Sequence, residues 1–258
     1  MRHGGSIVAE TLVQHDVKFI FTLCGGHISP ILVACKEKGI RVVDVRHEAT
    51  AVFAADAVSR LSPAIGVAAV TAGPGLTNTL TAVKNIQMAQ VPVLLLGGAT
   101  ATILKGRGSL QDIDQMALLR PLTKHQVIIK RVKDIANEIN KAIIIAQSGV
   151  PGPVFVELPL DLLYPQDLVR ELYGLNTDDQ KRSWWMEKYL QRSLNRIFAS
   201  FETAPSPVPE ITCPMPVPSA IQKASKMMFN SKRPVLLVGS QTMLNVTEVD
   251  NLAQKLAS

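Results

Sequence analysis

Two long stretches of this chain carry no charged residue: residues 61–83 and 85–104, with Lys84 alone between them. So much uncharged sequence has two physical homes, a lipid bilayer or the inside of a sheet covered on both faces. Pro63, Gly73-Pro74-Gly75, Asn78, Pro92 and Gly97-Gly98 cut the stretches into pieces too short to span a bilayer. Buried strands joined by turns are therefore expected. The aliphatic runs 65–71 and 91–96 supply two of them, with a helix over 76–89 between.

The same alternation continues on either side. Residues 6–15 predict an amphipathic helix with Ile7, Val8, Leu12 and Val13 inward, and 19–23 a buried strand. Cys24-Gly25-Gly26 turns the chain, and a helix over 28–38 ends at Gly39. A strand at 40–45, a helix from Glu48, helices over 112–120 and 133–147 and a strand at 154–158 follow. Strands alternating with helices predict an α/β fold: a parallel sheet with helices on both faces, over a first domain of residues 1–165.

After Tyr164-Pro165 the pattern stops. Residues 166–217 read as a linker: 166–183 polar and irregular, one amphipathic helix over 184–201, then a proline-rich run over 204–218. Along 184–201, Lys188, Arg192 and Arg196 form one stripe, while Trp185, Tyr189, Leu190, Leu194, Ile197, Phe198 and Phe201 supply apolar surface, facing either the protein or a membrane. Residues 218–258, with a helix at 219–229, a strand at 234–239 and a helix at 247–256, read as the incomplete start of a second, central α/β domain.

Composition excludes several functions. The net charge of +6 would suit an acidic partner, but only 5% of the residues are aromatic and the basic ones are scattered. No stacking platform lies in a basic groove, so no nucleic acid is expected. Three cysteines and five histidines are dispersed without metal-ligand spacing, so no metal site is expected in this chain. The amino terminus lacks the apolar core of a signal peptide.

One carboxylate is placed for chemistry. The β-branched run Val42-Val43-Asp44-Val45 ends in Arg46-His47-Glu48, and an alanine-rich helical pattern starts at once. In an open α/β sheet that junction lies at the carboxyl end of a strand, where ligands bind, although a glutamate there also merely complements a helix dipole. Gly73-Pro74-Gly75-Leu76-Thr77-Asn78 likewise joins a strand to a helix, as a dinucleotide-binding turn does. Asn78 replaces the third glycine, and no Asp or Glu occurs between Asp56 and Asp112 to hold a ribose, which rejects a nicotinamide cofactor. The glycines still permit close approach to a flat ligand.

Together, Phe21-Thr22-Leu23-Cys24-Gly25-Gly26, Arg46-His47-Glu48-Ala49, Ala72 to Asn78, Pro92-Val93-Leu94, Gln111 and Gly152 to Pro159 resemble the pyrimidine-binding domain of thiamine-diphosphate-dependent enzymes of the acetolactate synthase type. The resemblance runs from Gly4 to Pro165, and residues 21–30 and 185–190 are most similar to a membrane-associated branch of that family. It implies a carbon–carbon lyase or synthase with thiamine diphosphate as cofactor. The favoured reaction is cleavage of a 2-hydroxyacyl-CoA to an aldehyde and formyl-CoA; acetolactate synthesis from pyruvate is the enzymatic alternative, and a non-catalytic truncated product binding a full-length partner the other.

Residue by residue, the resemblance makes Glu48 the catalytic activator, its carboxyl bonded to the aminopyrimidine ring nitrogen so that the thiazolium proton is lost. Gly25, Gly26, Gly73, Pro74, Gly75 and Asn78 match cofactor-binding positions, although many relatives have proline where Cys24 stands. Gln111 matches a glutamine facing the substrate. For Asn78 the plain alternative is a helix cap and for Gln111 a solvated loop residue. The family holds the diphosphate through Mg2+ on a later domain carrying Gly-Asp-Gly, a motif that does not occur in this chain. This implies half a site, completed at a subunit interface in a homodimer or homotetramer that acts on an acyl-CoA or 2-oxo acid. It also implies a location on the cytosolic side of the endoplasmic reticulum membrane, with membrane contact.

Overall fold

The computed structural model describes residues 2–175, 183–199 and 216–233, with Val235 and Gly239. Phe201, the proline-rich run up to 215 and the helix expected at 247–256 lie outside the described residues, as does nearly all of the strand expected at 234–239. Two compact units divide the chain, residues 1–212 and residues 213–258.

The first unit is a six-stranded sheet in the order β2-β1-β3-β4-β6-β5, every adjacent pair parallel. The strands are β1 (Phe19–Thr22), β2 (Arg41–Asp44), β3 (Gly66–Val70), β4 (Val93–Ala99), β5 (His125–Ile128) and β6 (Val154–Pro159). The uncharged stretches become β3 and β4 at the centre of the sheet, with every residue of both strands buried. No helix among the described residues is long and apolar enough to cross a membrane.

Because side chains alternate across a strand, the central strands feed two cores. Val67, Ala69, Leu94, Leu96, Val154 and Val156 face one side, against α1 (Gly4–Gln14), α2 (Ser29–Glu37) and α7 (Ile135–Gln147). Ala68, Val70, Val93, Leu95 and Phe155 face the other, against α3 (Glu48–Leu61) and α5 (Leu80–Ala89).

Several elements differ from expectation. The helix expected over 76–89 is broken into a single turn, α4 (Pro74–Thr77), and α5, with Asn78 and Thr79 between them. Thr79 Oγ1 donates to Leu76 O at 2.7 Å, the local side-chain bond by which threonine competes with a continuing helix. The helix expected over 112–120 is shorter, α6 (Gln115–Leu119), because Asp114 caps it by accepting from Ala117 N at 3.0 Å. Edge strand β5 was not expected at all.

Beyond Pro159 the chain forms α8 (Leu160–Leu163) and α9 (Gln166–Leu172), the latter where irregular chain was expected. Val169 of α9 is buried in the same core as α1 and α7. Then α10 (Trp184–Ile197) divides in two. Leu190, Leu194, Ile197 and Phe198 are buried in that core, so this apolar surface packs on the protein, while Trp184, Trp185, Met186 and Tyr189 near the helix start remain exposed. In the second unit α11 (Pro218–Phe229) keeps Ile221, Met227, Met228 and Phe229 exposed.

The two halves of α10 should respond differently to truncation. Leu194 is 0% exposed, so Leu194→Ala should lower unfolding free energy by about 2–5 kcal/mol. Trp185 is 73% exposed, and Trp185→Ala should change it by no more than about 0.5 kcal/mol. Urea unfolding followed by circular dichroism measures both.

Candidate active site

Strand order creates a crevice at one end of the sheet. β1 sits between β2 and β3, so the chain leaving β1 turns towards β2 while the chain leaving β3 turns towards β4. Loops that part in this way mark the topological switch point, where open α/β sheets bind ligands. β1 and β3 are paired over only two residues, Phe21 with Ala68 and Thr22 with Ala69. Beyond that pairing come Cys24-Gly25-Gly26 on one side and Ala72-Gly73-Pro74-Gly75 on the other.

Glu48 enters from the end of β2 as the first residue of α3, and only 7% of its surface is exposed. His47 caps that helix, accepting from Ala49 N at 3.1 Å through Nδ1. Asn78 Nδ2 donates to Glu48 Oε2 at 2.9 Å. The break between α4 and α5 thus sends Asn78 to the carboxylate, and no side chain caps α5. Glu48 Oε1 has no partner among the described residues and is not sealed from solvent, so it is free to bond a ligand.

Glycine keeps that oxygen approachable. A Cβ at Gly75 would lie 2.6 Å from Thr71 Cγ2 and 3.6 Å from Glu48 Oε1, between the carboxylate and its visitor. At Gly25 a Cβ would come 2.4 Å from Thr71 Cβ, so the backbone can pass there only as glycine, whereas Gly26 faces open space. Gly73 adopts φ +64°, in the left-handed region, and starts α4 with Pro74 in its first turn.

Gln111 arrives on the loop after β4. A Cβ on Gly73 would lie 2.9 Å from Gln111 Cβ, which places the two loops in contact. Gln111 itself has φ +64° and is half-buried. A non-glycine residue there costs of order 1–3 kcal/mol, so its surroundings must over-determine the conformation. The loop around it is anchored at several points. Thr100 Oγ1 donates to Ser109 Oγ at 2.9 Å, Thr102 N to Asp161 Oδ2 at 3.0 Å and Gly106 N to Asp112 Oδ2 at 2.5 Å. Lys105 Nζ meets the fully buried Glu157 at 2.5 Å, and Gln115 Nε2 donates to the other oxygen of Glu157 at 3.0 Å.

Glu48, Gly25, Gly26, Gly73, Pro74, Gly75, Asn78 and Gln111 therefore all stand at the carboxyl end of the sheet. Sequence reasoning missed Thr71, the side chain against which Gly25 and Gly75 both pack, and His27, bonded to Thr71; nothing local in the sequence marks either. Among the described residues no group of three His, Cys, Asp or Glu could hold a metal ion.

A carboxylate with one oxygen held by an amide and the other free, beside glycines that a Cβ would fill, suits a flat heteroaromatic ring whose nitrogen shares a proton. Residues 2–118 match the family described as thiamine pyrophosphate enzyme, N-terminal TPP binding domain. Over those residues the chain carries the amino-terminal domain of such enzymes. It is 54% identical over 260 residues to 2-hydroxyacyl-CoA lyase 2 of Danio rerio, covering 100% of this chain and 42% of that protein. Identity to 2-hydroxyacyl-CoA lyase 2 of Homo sapiens is 52% over 257 residues, 98% of this chain and 40% of the relative. The acetolactate synthase large subunit of Mycobacterium tuberculosis is 30% identical over 239 residues, 92% of this chain and 38% of that protein. The chain thus spans about two fifths of the length of the curated relatives it matches, 38–42%.

Removing the amide donor tests the Asn78–Glu48 bond directly. Hydrogen bonds to charged groups contribute about 1.5–3 kcal/mol, so Asn78→Ala should lower unfolding free energy by up to that amount without cofactor. Asn78→Asp, which sets one carboxylate against another, should lower it further at pH 7 than at pH 4. Urea midpoints at the two pH values check this.

Proposed function

We propose that this chain supplies the pyrimidine-binding half of a thiamine-diphosphate-dependent lyase that cleaves a 2-hydroxyacyl-CoA to an aldehyde and formyl-CoA. What supports this over acetolactate synthesis is the difference in identity along nearly the whole chain, 52–54% to the lyases against 30% to the synthases. When bound, thiamine diphosphate supplies a carbanion that adds to a carbonyl and an electron sink for the bond that breaks. Glu48 Oε1 holds a proton at the pyrimidine ring nitrogen, and Asn78 fixes the carboxylate through its other oxygen. Gly25, Gly26, Gly73, Pro74 and Gly75 give the ring room, and Gln111 lies towards the substrate.

The finer parts of the proposal are these. Mg2+ and the diphosphate are held by a later domain of the complete protein. Two subunits of a homodimer or homotetramer each contribute half a site. The enzyme sits on the cytosolic side of the endoplasmic reticulum membrane, and the exposed Trp184, Trp185 and Tyr189 are the surface of this chain best suited to its headgroup region.

Glu48→Gln in the complete protein is the deciding variant. It keeps the side chain's size and removes its ability to share a proton, so turnover should fall by roughly 10²–10⁴. Deuterium exchange at the thiazolium carbon of bound cofactor should slow with it. Unchanged exchange in a folded, cofactor-loaded variant would leave Glu48 as a helix-dipole residue only. Product analysis of the wild type separates the two reactions: formyl-CoA is expected from a 2-hydroxyacyl-CoA, and acetolactate from pyruvate alone would overturn the lyase assignment. Gln111→Ala should lower turnover and leave the cofactor dissociation constant unchanged; lost cofactor affinity with normal turnover at saturation would contradict its placement.

A further inference from the structure

One imidazole at this site has no part in the roles above. His27 follows Gly26 in the turn between β1 and α2. Its Nδ1 is 3.0 Å from Thr71 Oγ1, and its Cβ lies over Gly98 of β4, where an added Cβ would come within 2.5 Å. The ring is therefore seated across the carboxyl ends of β1, β3 and β4, tethered on one side and given room by a glycine on the other.

That seat belongs to the crevice of Glu48. Thr71, which tethers His27, also packs against Gly25 and Gly75, and an atom placed at Gly75 would touch both Thr71 and Glu48 Oε1. The ring is half-buried, and that burial lowers its pKa without any contribution from a neighbouring charge. His27 is thus neutral at physiological pH, with one nitrogen carrying a lone pair. Nδ1 is engaged by Thr71; Nε2 has no partner among the described residues and is not sealed from solvent.

The chemistry needs such a group. Breaking the bond between C1 and C2 of a 2-hydroxyacyl-CoA turns the C2 alcohol into an aldehyde, and an alcohol proton far from neutral pKa must leave with the bond. Among the carboxylates and imidazoles of these turns, Glu48 serves the ring nitrogen, His47 caps α3 and Asp44 is paired with Arg46 at 2.7 Å. His27 remains.

Resting on the lyase reading, we propose that His27 is the acid–base residue for the substrate: with Nδ1–H held by Thr71 Oγ1, Nε2 accepts the proton of the 2-hydroxyl as C1–C2 breaks. The electron pair of that bond stays with C1, and the O–H pair becomes the second C–O bond of the aldehyde. The imidazolium then returns its proton to C1, where it is the formyl hydrogen of formyl-CoA. Substrate and products balance with no added reactant. Thr71 is a positioning residue, since its hydroxyl selects the tautomer that leaves Nε2 free to accept.

The test uses the complete, cofactor-loaded protein and a 2-hydroxyacyl-CoA. His27→Gln and His27→Ala should lower kcat by roughly 10²–10⁴ and leave KM within about threefold. Cofactor affinity and deuterium exchange at the thiazolium carbon should stay at wild-type values, which separates His27 from Glu48. The wild-type kcat/KM should fall on the acid side through a group below the ordinary histidine range, and that limb should vanish in both variants. Thr71→Val should lower kcat with unchanged exchange, and Thr71→Ser should restore it. If wild type cleaves the substrate and His27→Ala cleaves it within about threefold as fast, the His27 proposal falls and the lyase reading stands. Exchange that slows along with turnover also overturns it, by moving His27 to cofactor activation. A wild type that yields no formyl-CoA overturns both.

Discussion

Thr71 fills the gap that opens where β1 and β3 part, and the site takes its shape from that one side chain. Gly25 passes it on the β1 side and Gly75 on the other, each so close that a Cβ would clash with it. Thr22, one residue pair earlier, closes the strands with a buried hydroxyl donating to Ala69 O at 2.8 Å. The two strands are thus pinned just before they separate. Glu48 Oε1 lies 3.6 Å from where a Cβ on Gly75 would stand, and His27 Nδ1 is 3.0 Å from the Thr71 hydroxyl, so a carboxylate and an imidazole both neighbour that side chain.

What could be read from the chain follows from which interactions are local. β3 and β4 were legible because two-sided burial demands uncharged, turn-bounded runs, and Glu48 because a strand-to-helix junction is written in consecutive residues. The edge strand His125–Ile128 was not, since its four residues are only half-buried and it is flanked by lysine and arginine rather than by turn residues. Helix α9 was hidden because Val169 alone of its residues is buried. The bond that Asn78 makes at the break joins it to a partner thirty positions away, and the Thr71–His27 contact spans forty-four. Such pairings exist only once strand order is known.

Gln111 shows the same limit from the side of the backbone. Glutamine does not announce a left-handed conformation, so nothing in its neighbourhood distinguishes it from a solvated loop residue. The loop that carries it is anchored from β6 and α8, chiefly by the ion pair of Lys105 with buried Glu157 and the bond from Thr102 to Asp161. Only the Glu157 end of that pair is buried, and Lys105 reaches it from the exposed loop, so the contact ties the loop to β6.

Buried polarity is distributed unevenly for the same reason. The sheet's middle is aliphatic, while Thr22, Thr100, Glu157 and Asp161 gather at or just beyond the carboxyl ends of β1, β4 and β6, and Glu48 at the end of β2. Each has a partner that fixes its direction: Ala69 O, Ser109, Lys105, Thr102 and Asn78 in turn. A buried polar group without a partner costs about 1–3 kcal/mol, which these bonds offset, although Asp161 Oδ1 stays buried and unpartnered. The consequence is a rigid rim on an apolar floor. Of the rim atoms that lack a protein partner among the described residues, Asp161 Oδ1 is sealed from solvent, whereas Glu48 Oε1 and His27 Nε2 are not, and with their sister atoms held these two are oriented and open to a ligand.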